Sequence, residues 1–253
     1  MALVWEKRVG NSHYEVRSHG ASVRLYSNGV FHSQWNPNDP LKGSLWELLF
    51  LPAFFLPRHQ LRRVLILGVG GGALIRLIQR YLNPEEIVGV DIDRHHLTVA
   101  RRFFGVRSAR LVCADARDFV ATQVALLGGS ERDFEPFDLV VDDLFGHCDG
   151  VAERAIEADP AWCESLLKLV SPHGLVISNF GSRRELLASG WRSEPLRSQL
   201  AGAWRGELPE YENCVGVFSR VPLHRVSLIE HAPAAINPGN PTRRLAARLS
   251  PLR

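Results

Sequence analysis

A short apolar run, Val64-Leu65-Ile66-Leu67, leads into a loop with four glycines in five positions, Gly68, Gly70, Gly71 and Gly72, and then into an amphipathic stretch from Ala73. Glycine lacks the Cβ that keeps a ligand away from the backbone. The start of a helix adds unpaired N–H groups and a positive dipole end. Three later apolar runs end in acids. Asp91 closes Ile87-Val88-Gly89-Val90, 23 residues after Gly68. A carboxylate there can accept two hydrogen bonds from ribose hydroxyls, and Asp93, two residues on, suits a helix N-cap. Asp115 follows Leu111-Val112-Cys113-Ala114 and can accept from an adenine amino group. Asp142 and Asp143 follow Leu139-Val140-Val141. An amine with a pKa of about 10 must lose a proton before it can act as a nucleophile, and neighbouring carboxylates raise one another's pKa. Asp142 and Asp143 therefore form a candidate pair for proton removal. The chemistry on offer is nucleoside binding next to proton removal.

These residues need a scaffold that brings strand ends together. The runs 64–67, 87–90, 109–113, 139–141 and 175–178 are short, apolar and β-branched, the pattern of a parallel sheet buried on both faces. Helical stretches fall between them at 73–82, 94–104, 115–127 and 160–170. Alternating β and α implies a doubly wound α/β sheet, whose ligands sit beyond the carboxyl ends of the strands. A last strand is expected at 214–219. Residues 1–60 read as a β-rich lobe and a linking helix. Tyr14–Arg17 and Ser22–Tyr26 alternate like half-buried strands, and Ser27-Asn28-Gly29 is a hairpin turn signal. Val30–Trp35 continues as a strand, and Leu45, Leu48, Leu49 and Ala53 share one helix face. Residues 61–220 form the nucleoside-binding domain, and 221–253, with five prolines, are expected as a surface-wrapped or partly disordered tail.

Composition sets the outer limits. The chain has 253 residues, 45% apolar and 23% charged, which excludes a disordered chain and fits one large domain with a small appendage. No run of 18 apolar residues occurs, so no membrane helix is expected. Glu6, Lys7 and Arg8 interrupt the N-terminus where a secretory signal would be apolar, and the expected location is the cytoplasm. Cys113, Cys148, Cys163 and Cys214 form no C-x-x-C pair; they read as reduced thiols, and no metal is expected. A net charge of +3 without a dense basic face gives no reason to expect a nucleic-acid partner. His147, Cys148 and Asp149 read as loop residues, and His95 and His96 as helix surface. Trp46, Trp162, Trp191 and Trp204 read as packing residues.

The loop alone fits both G-x-G-x-x-[GA] and the G-x-G-x-G of nucleoside-binding methyltransferases. Taken together, the motifs resemble the spermidine synthase-like branch of the class I S-adenosylmethionine-dependent transferases, over residues 10–220. Ser12-His13-Tyr14-Glu15 resembles the family's S-P-Y-Q, Leu25-Tyr26-Ser27-Asn28-Gly29-Val30 its L-x-L-D-G-V, and Leu45-Trp46-Glu47 its Y-H-E. Gly68–Ala73 resembles G-G-G-D-G-G. Asp91 takes the place of the ribose acid, Asp115 that of the adenine acid, and Asp143 that of the first Asp of D-S-S-D-P. The resemblance implies a Rossmann-like fold of class I methyltransferase type with a small N-terminal β lobe. It implies S-adenosylmethionine or its decarboxylated form as donor, held by Gly68, Gly70, Gly71, Gly72, Asp91, Ile92, Asp115 and Ala116. It also implies a small-molecule acceptor beside Tyr14, Glu15 and Glu47, catalysis at Asp143 and Asp142, and a homodimer.

The sequence departs from the family at informative places. Gly71 stands where the family's loop Asp holds the donor's amine, Gly146 where it has the second Asp of D-S-S-D-P, His147 where it has that motif's Pro, and Glu15 where it has Gln. A loop without the acid would not repel a carboxylate, and its N–H groups would be free to bind one. The sequence thus points to intact S-adenosylmethionine and methyl transfer to a small molecule. Aminopropyl transfer in polyamine synthesis is the second reading, and a non-catalytic adenosyl-nucleoside-binding protein the third.

Overall fold

A computed structural model describes residues 1–127, 135–148 and 151–252. The chain opens with a four-stranded antiparallel meander: β1 (Ala2–Val9), β2 (Ser12–His19), β3 (Ser22–Ser27) and β4 (Val30–Trp35). The turn between β3 and β4 places Asn28 at φ +50 and Gly29 at φ +81, the two positive values that a tight hairpin needs. Along β2, Tyr14 and Val16 point inward and alternate with Glu15 and Arg17. A short helix α1 (Leu45–Phe50) and a 3-10 turn (Leu51–Phe55) then lead into the main sheet.

The main sheet is built from β5 (Arg63–Leu67), α2 (Ala73–Tyr81), β6 (Glu86–Asp91), α3 (Arg94–Arg102), β7 (Arg110–Cys113), α4 (Ala116–Leu127) and β8 (Phe137–Asp142). A hairpin of β9 (Phe145–Cys148) and β10 (Val151–Arg154) follows. It is succeeded by α5 (Pro160–Leu169), β11 (Val170–Phe180), α6 (Arg183–Ala188), α7 (Glu194–Arg197), β12 (Gly202–Glu207) and β13 (Cys214–Ser219). The chain ends with α8 (Arg225–His231) and β14 (Arg248–Pro251). The strand order is β14-β12-β13-β11-β8-β5-β6-β7. The strands from β11 to β7 run parallel, and β13, β12 and β14 add an antiparallel edge. This is the expected Rossmann-like doubly wound α/β architecture.

Burial explains why the strands read as unbroken apolar runs. In β5, Val64 and Ile66 enter the core shared with α1, α2 and α3. Leu65 and Leu67 enter the opposite core, with α4, α5 and α6. At roughly 25 cal/mol per Å2 of apolar area removed from water, this two-sided burial is the main force holding the sheet.

Residues 221–252 differ from the expected tail. Leu228, Ile236 and Leu245 are fully buried, and β14 hydrogen-bonds along β12. Widely spaced apolar anchors order this segment despite its prolines. The hairpin β9–β10 also replaces the loop expected at His147 and Cys148, while Asp149 lies outside the described residues. Cys113, Cys163 and Cys214 are free thiols, as expected. No helix among the described residues is long and apolar enough to cross a membrane.

Candidate active site

The parallel strands change winding direction between β5 and β8, the place where open α/β sheets form their ligand crevice. The two strand ends are locked together there. The Asp143 amide donates to the Leu67 carbonyl at 2.8 Å. Gly68 has φ +91, and a Cβ on it would sit 2.0 Å from the Asp143 carbonyl oxygen. Only glycine can turn here, so Gly68 fixes where the Asp143 side chain leaves the sheet.

Above this junction lies a cavity of about 450 Å3, within the range of small-molecule sites. Gly68, Gly70, Asp91, Ile92, Asp115 and Ala116 line it, as do Tyr14 and Asp143. Eight of the residues named from the sequence thus face one space. Gly71 and Gly72 do not. Gly72 caps α2, and a Cβ on Gly71 would meet Phe104 Cζ at 2.6 Å and Ser33 Cβ at 2.7 Å. Position 71 points into packed protein.

Asp91 organises the loop. Its Oδ2 accepts from the Val69 amide at 3.0 Å and the Gly70 amide at 2.9 Å, and its Oδ1 accepts from the Asp93 amide at 2.8 Å. Two of the loop amides expected to be free for a donor carboxylate, those of Val69 and Gly70, are thus bonded to the protein's own acid. His96 Nδ1 lies 3.5 Å from Asp91 Oδ2. Burial pushes the Asp91 carboxyl up, but His96 and the amides outweigh it and hold the group below the usual range. Burial likewise pushes His96 down, and Asp91 and Asp93 together bring it above its ordinary value. His96 is buried, not on the helix surface, and Ser27 Oγ lies 2.8 Å from its Nε2. It therefore ties the lobe to the sheet. Its spacing from Val99 and Ala100 on the inner face of α3 was the available signal.

Tyr14 makes a second tie between lobe and sheet. Its hydroxyl donates to Asp93 Oδ2 at 2.7 Å, while Asp93 Oδ1 caps α3 by accepting from the His95 amide at 2.7 Å. Asp115 lines the cavity, accepts from the Arg117 amide at 2.7 Å through Oδ1, and has its Oδ2 3.6 Å from the Arg117 guanidinium.

The paired carboxylates separate. Asp142 is 0% exposed and lies outside the cavity wall. It accepts from Arg154 Nη2 at 2.9 Å and Trp162 Nε1 at 3.3 Å. Strand alternation turns it to the α5 side, so it is a structural counter-ion and not the base's partner in the cavity. Asp143 reaches the cavity and accepts from Asn179 Nδ2 at 2.8 Å. Burial pushes its carboxyl up to about 6; the Asn179 bond and Arg154 pull down, while the charge of Asp142 adds to the rise. Asn179 was missed in the sequence, although it ends a buried strand beside β8.

Glu15 and Glu47 also leave the expected place. Glu15 pairs with Arg17 at 2.9 Å on the outer face of β2. Glu47 is buried and closes a capping box at the start of α1, accepting from Gly43 and Ser44. Neither lines the cavity. Trp46, expected as packing, lines it together with Phe31. Among the described residues, Glu6, His13 and Glu15 bring ligand atoms within 4.8 Å of one another. That cluster sits on the lobe's outer face, outside the cavity.

Known proteins place this geometry in a family. A model described as the spermine/spermidine synthase domain matches residues 48–183. The chain is 30% identical over 118 residues to polyamine aminopropyltransferase 2 of Caldanaerobacter subterraneus, covering 45% of this chain and 36% of that protein. It is 28% identical over 196 residues to polyamine aminopropyltransferase of Pyrobaculum neutrophilum, covering 73% and 62%. The chain thus spans under two thirds of the length of these relatives. A probable spermidine synthase from Corynebacterium glutamicum superposes with a TM-score of 0.71 at 16% identity, over 99% of this chain and 91% of that one. Human methyltransferase-like protein 13 in complex with SAH gives 0.61 at 20%, over 74% and 88%. A spermidine synthase in complex with the transition-state analogue AdoDATO gives 0.60 at 13%, over 95% and 78%. More than half of its length matches the family model, and its sheet carries the Rossmann-like fold of these neighbours: the chain belongs to the spermine/spermidine synthase domain family.

Proposed function

We propose that the protein is a transferase that moves an aminopropyl group from decarboxylated S-adenosylmethionine to an amine nitrogen. The observation that carries this reading is Asp143, a carboxyl pushed up to about 6 that opens on the same cavity as Asp91 and Asp115. The names of the relatives support aminopropyl over the methyl transfer expected from the sequence. So does Asp91: its hold on the Val69 and Gly70 amides takes two of the loop's N–H groups away from a donor carboxylate.

The residues present fit an adenosyl donor. A carboxylate offers about four acceptor positions, and the Asp91 amide partners leave capacity for a ribose hydroxyl. Asp115 and Ala116 suit the adenine edge. The donor supplies a sulfonium-bound carbon, on which the amine lone pair forms a C–N bond as the C–S bond breaks to a neutral thioether. Asp143 takes the proton that frees that lone pair. Asn179 holds the carboxylate in one orientation, and Tyr14 fixes the lobe over the cavity. Alignment of nitrogen and carbon is the larger part of the task.

Methyl transfer is the second reading: Gly71 stands in place of the family's loop Asp, although position 71 points into packed protein and not at the donor. Mass spectrometry of amine incubations with each donor separates the two. An acceptor gaining an aminopropyl group, with release of methylthioadenosine, is expected. A methyl gain from S-adenosylmethionine alone would establish the second reading. Failure to bind methylthioadenosine in calorimetry would count against both.

A further inference from the structure

Asn179 is 2% exposed and stands one residue before the end of β11, in the cavity wall. A side-chain amide has two ends of opposite sense, an NH2 that donates and an oxygen that accepts. In a buried amide either end left bare is costly. Both ends are met here. Nδ2 donates to Asp143 Oδ1 at 2.8 Å, and Oδ1 accepts from Asn213 Nδ2 at 3.2 Å. The Asn179 backbone is pinned separately, its carbonyl accepting from Arg154 Nη1 at 2.6 Å. The freedom left to the side chain is to turn its amide over.

Strand pairing delivers Asn213 to this place. Strand β13 runs antiparallel to β11 with Cys214 opposite Phe180, so the residue before Cys214 arrives beside the Asn179 side chain. Asn213 is half-buried and also lines the cavity.

The three side chains form a chain of bonds with one direction. An ionised carboxylate only accepts, so it needs the NH2 end of Asn179, and the Asn179 oxygen is then left for a donor. Asn213 supplies that donor. With an acceptor at 213 the amide would turn over, face its oxygen to Asp143 and favour the protonated acid instead. We propose that Asn213 is a positioning residue for Asp143: acting at one remove, it fixes through Asn179 which end of the amide the acid meets. That the acid then takes the acceptor's proton rests on the transferase reading above; the orientation does not.

The other charges around Asp143 are Asp142 on its own strand, Arg154 on β10 and Asp91 at the end of β6. Asp142 and Asp91 oppose ionisation, and Arg154 favours it. A substitution at 213 leaves all three in place.

The test follows Asp143 directly, by carbon NMR of isotope-labelled aspartate carboxyls against pH, its signal being the one lost in Asp143→Asn. Asn213→Asp is expected to raise the Asp143 midpoint by about one pH unit or more, and Asn213→Ala by about half a unit. The acid limb of kcat is expected to move with the midpoint, while methylthioadenosine affinity changes little. A residue that only supported the loop would lower kcat and leave the midpoint where it was. An added carboxylate also acts through its charge, so Asn213→Asp is repeated in the Asn179→Ala protein, where only the charge remains. The shift there is expected to be less than half that in the native chain. A midpoint unmoved by Asn213→Asp, or moved as far without Asn179 as with it, overturns the proposal. Absence of transfer from either donor to any amine, with the midpoint shifted as expected, removes the proposed function and leaves the positioning role standing.

Discussion

Asp142 and Asp143 are neighbours in the chain but serve opposite sides of the sheet. The first meets Arg154 Nη2 at 2.9 Å in the core, and the second meets Asn179 Nδ2 at 2.8 Å at the cavity floor. Strand pleating separates them. The one strand end therefore holds a counter-ion that anchors the β9–β10 hairpin and a carboxyl that opens on the cavity. Arg154 lies on β10 and also donates to the Asn179 carbonyl at 2.6 Å, so the two roles share a support.

Replacing Asp143 by Asn keeps the shape and removes the base. Turnover is expected to fall by about 10²- to 10⁴-fold, while methylthioadenosine affinity changes little. Steady-state kinetics and calorimetry on the same preparation check this. A variant retaining more than a tenth of the activity would remove Asp143 from the reaction.

The pH profile follows from the same group. A base must be ionised, and burial sets the Asp143 carboxyl at about 6. Activity is expected to fall as pH drops through that value, with the acceptor amine's own titration contributing on the alkaline side. Asn179 donates to the ionised form and so favours it. Asn179→Ala is expected to move the acid limb to higher pH, which kcat measured against pH reads directly.

Arg154 is 4% exposed on its side chain and Asp142 fully buried. Arg154→Met leaves a buried carboxylate unpaired, and urea unfolding is expected to show a loss of about 3–5 kcal/mol. Adding Asp142→Leu removes the orphaned charge and is expected to restore much of the stability.

The doubly wound sheet was legible because strands buried on both faces must be apolar throughout, as in Val64–Leu67. The edge was less so. In β12 two of the three inward residues are Gly202 and Gly206, which carry no hydrophobic signal. Strand β1 is exposed along nearly all its length, so no burial pattern marks it. At the site, strand-end position identified Asp91, Asp115 and Asp143. The direction of a side chain is a separate matter, decided by pleat and neighbours. Glu47 is instructive: Ser44 three residues before it already spelled a capping box, a local role that outcompeted the one implied by resemblance.

His96 makes stability depend on pH. Its folded value is raised above 6.5 by Asp91 and Asp93 against the effect of burial. The charged form is therefore favoured in the folded state. The contribution is complete below about 6.5 and is lost as pH rises through the higher folded value. Asp91 has the opposite sign: its carboxyl is depressed, so its contribution disappears only in acid, below its ordinary 3.8. Urea unfolding is expected to weaken from pH about 6.5 upwards in the native chain, and His96→Gln is expected to abolish that decline. An identical decline in the variant would assign it to another group.

Restoring the family acid with Gly71→Asp is the sharpest test of how the loop is built. Read from the sequence, the change should recover a grip on an ammonium-tailed donor. In the fold, a Cβ at 71 already meets Phe104 Cζ at 2.6 Å and Ser33 Cβ at 2.7 Å, and the carboxylate beyond it would enter apolar packing. Gly71→Ala is expected to destabilise by about 1–3 kcal/mol through overpacking alone. Gly71→Asp is expected to lose more, because it also buries an unpaired charge. Donor preference, read as the ratio of the affinities for S-adenosylmethionine and its decarboxylated form, is expected to stay within about threefold of the native ratio for any folded Gly71→Asp protein, since that acid has no path to the cavity. A strong swing towards the decarboxylated donor would mean that Phe104 and Ser33 yield, that the loop can turn position 71 into the site, and that the absent acid governs donor choice after all.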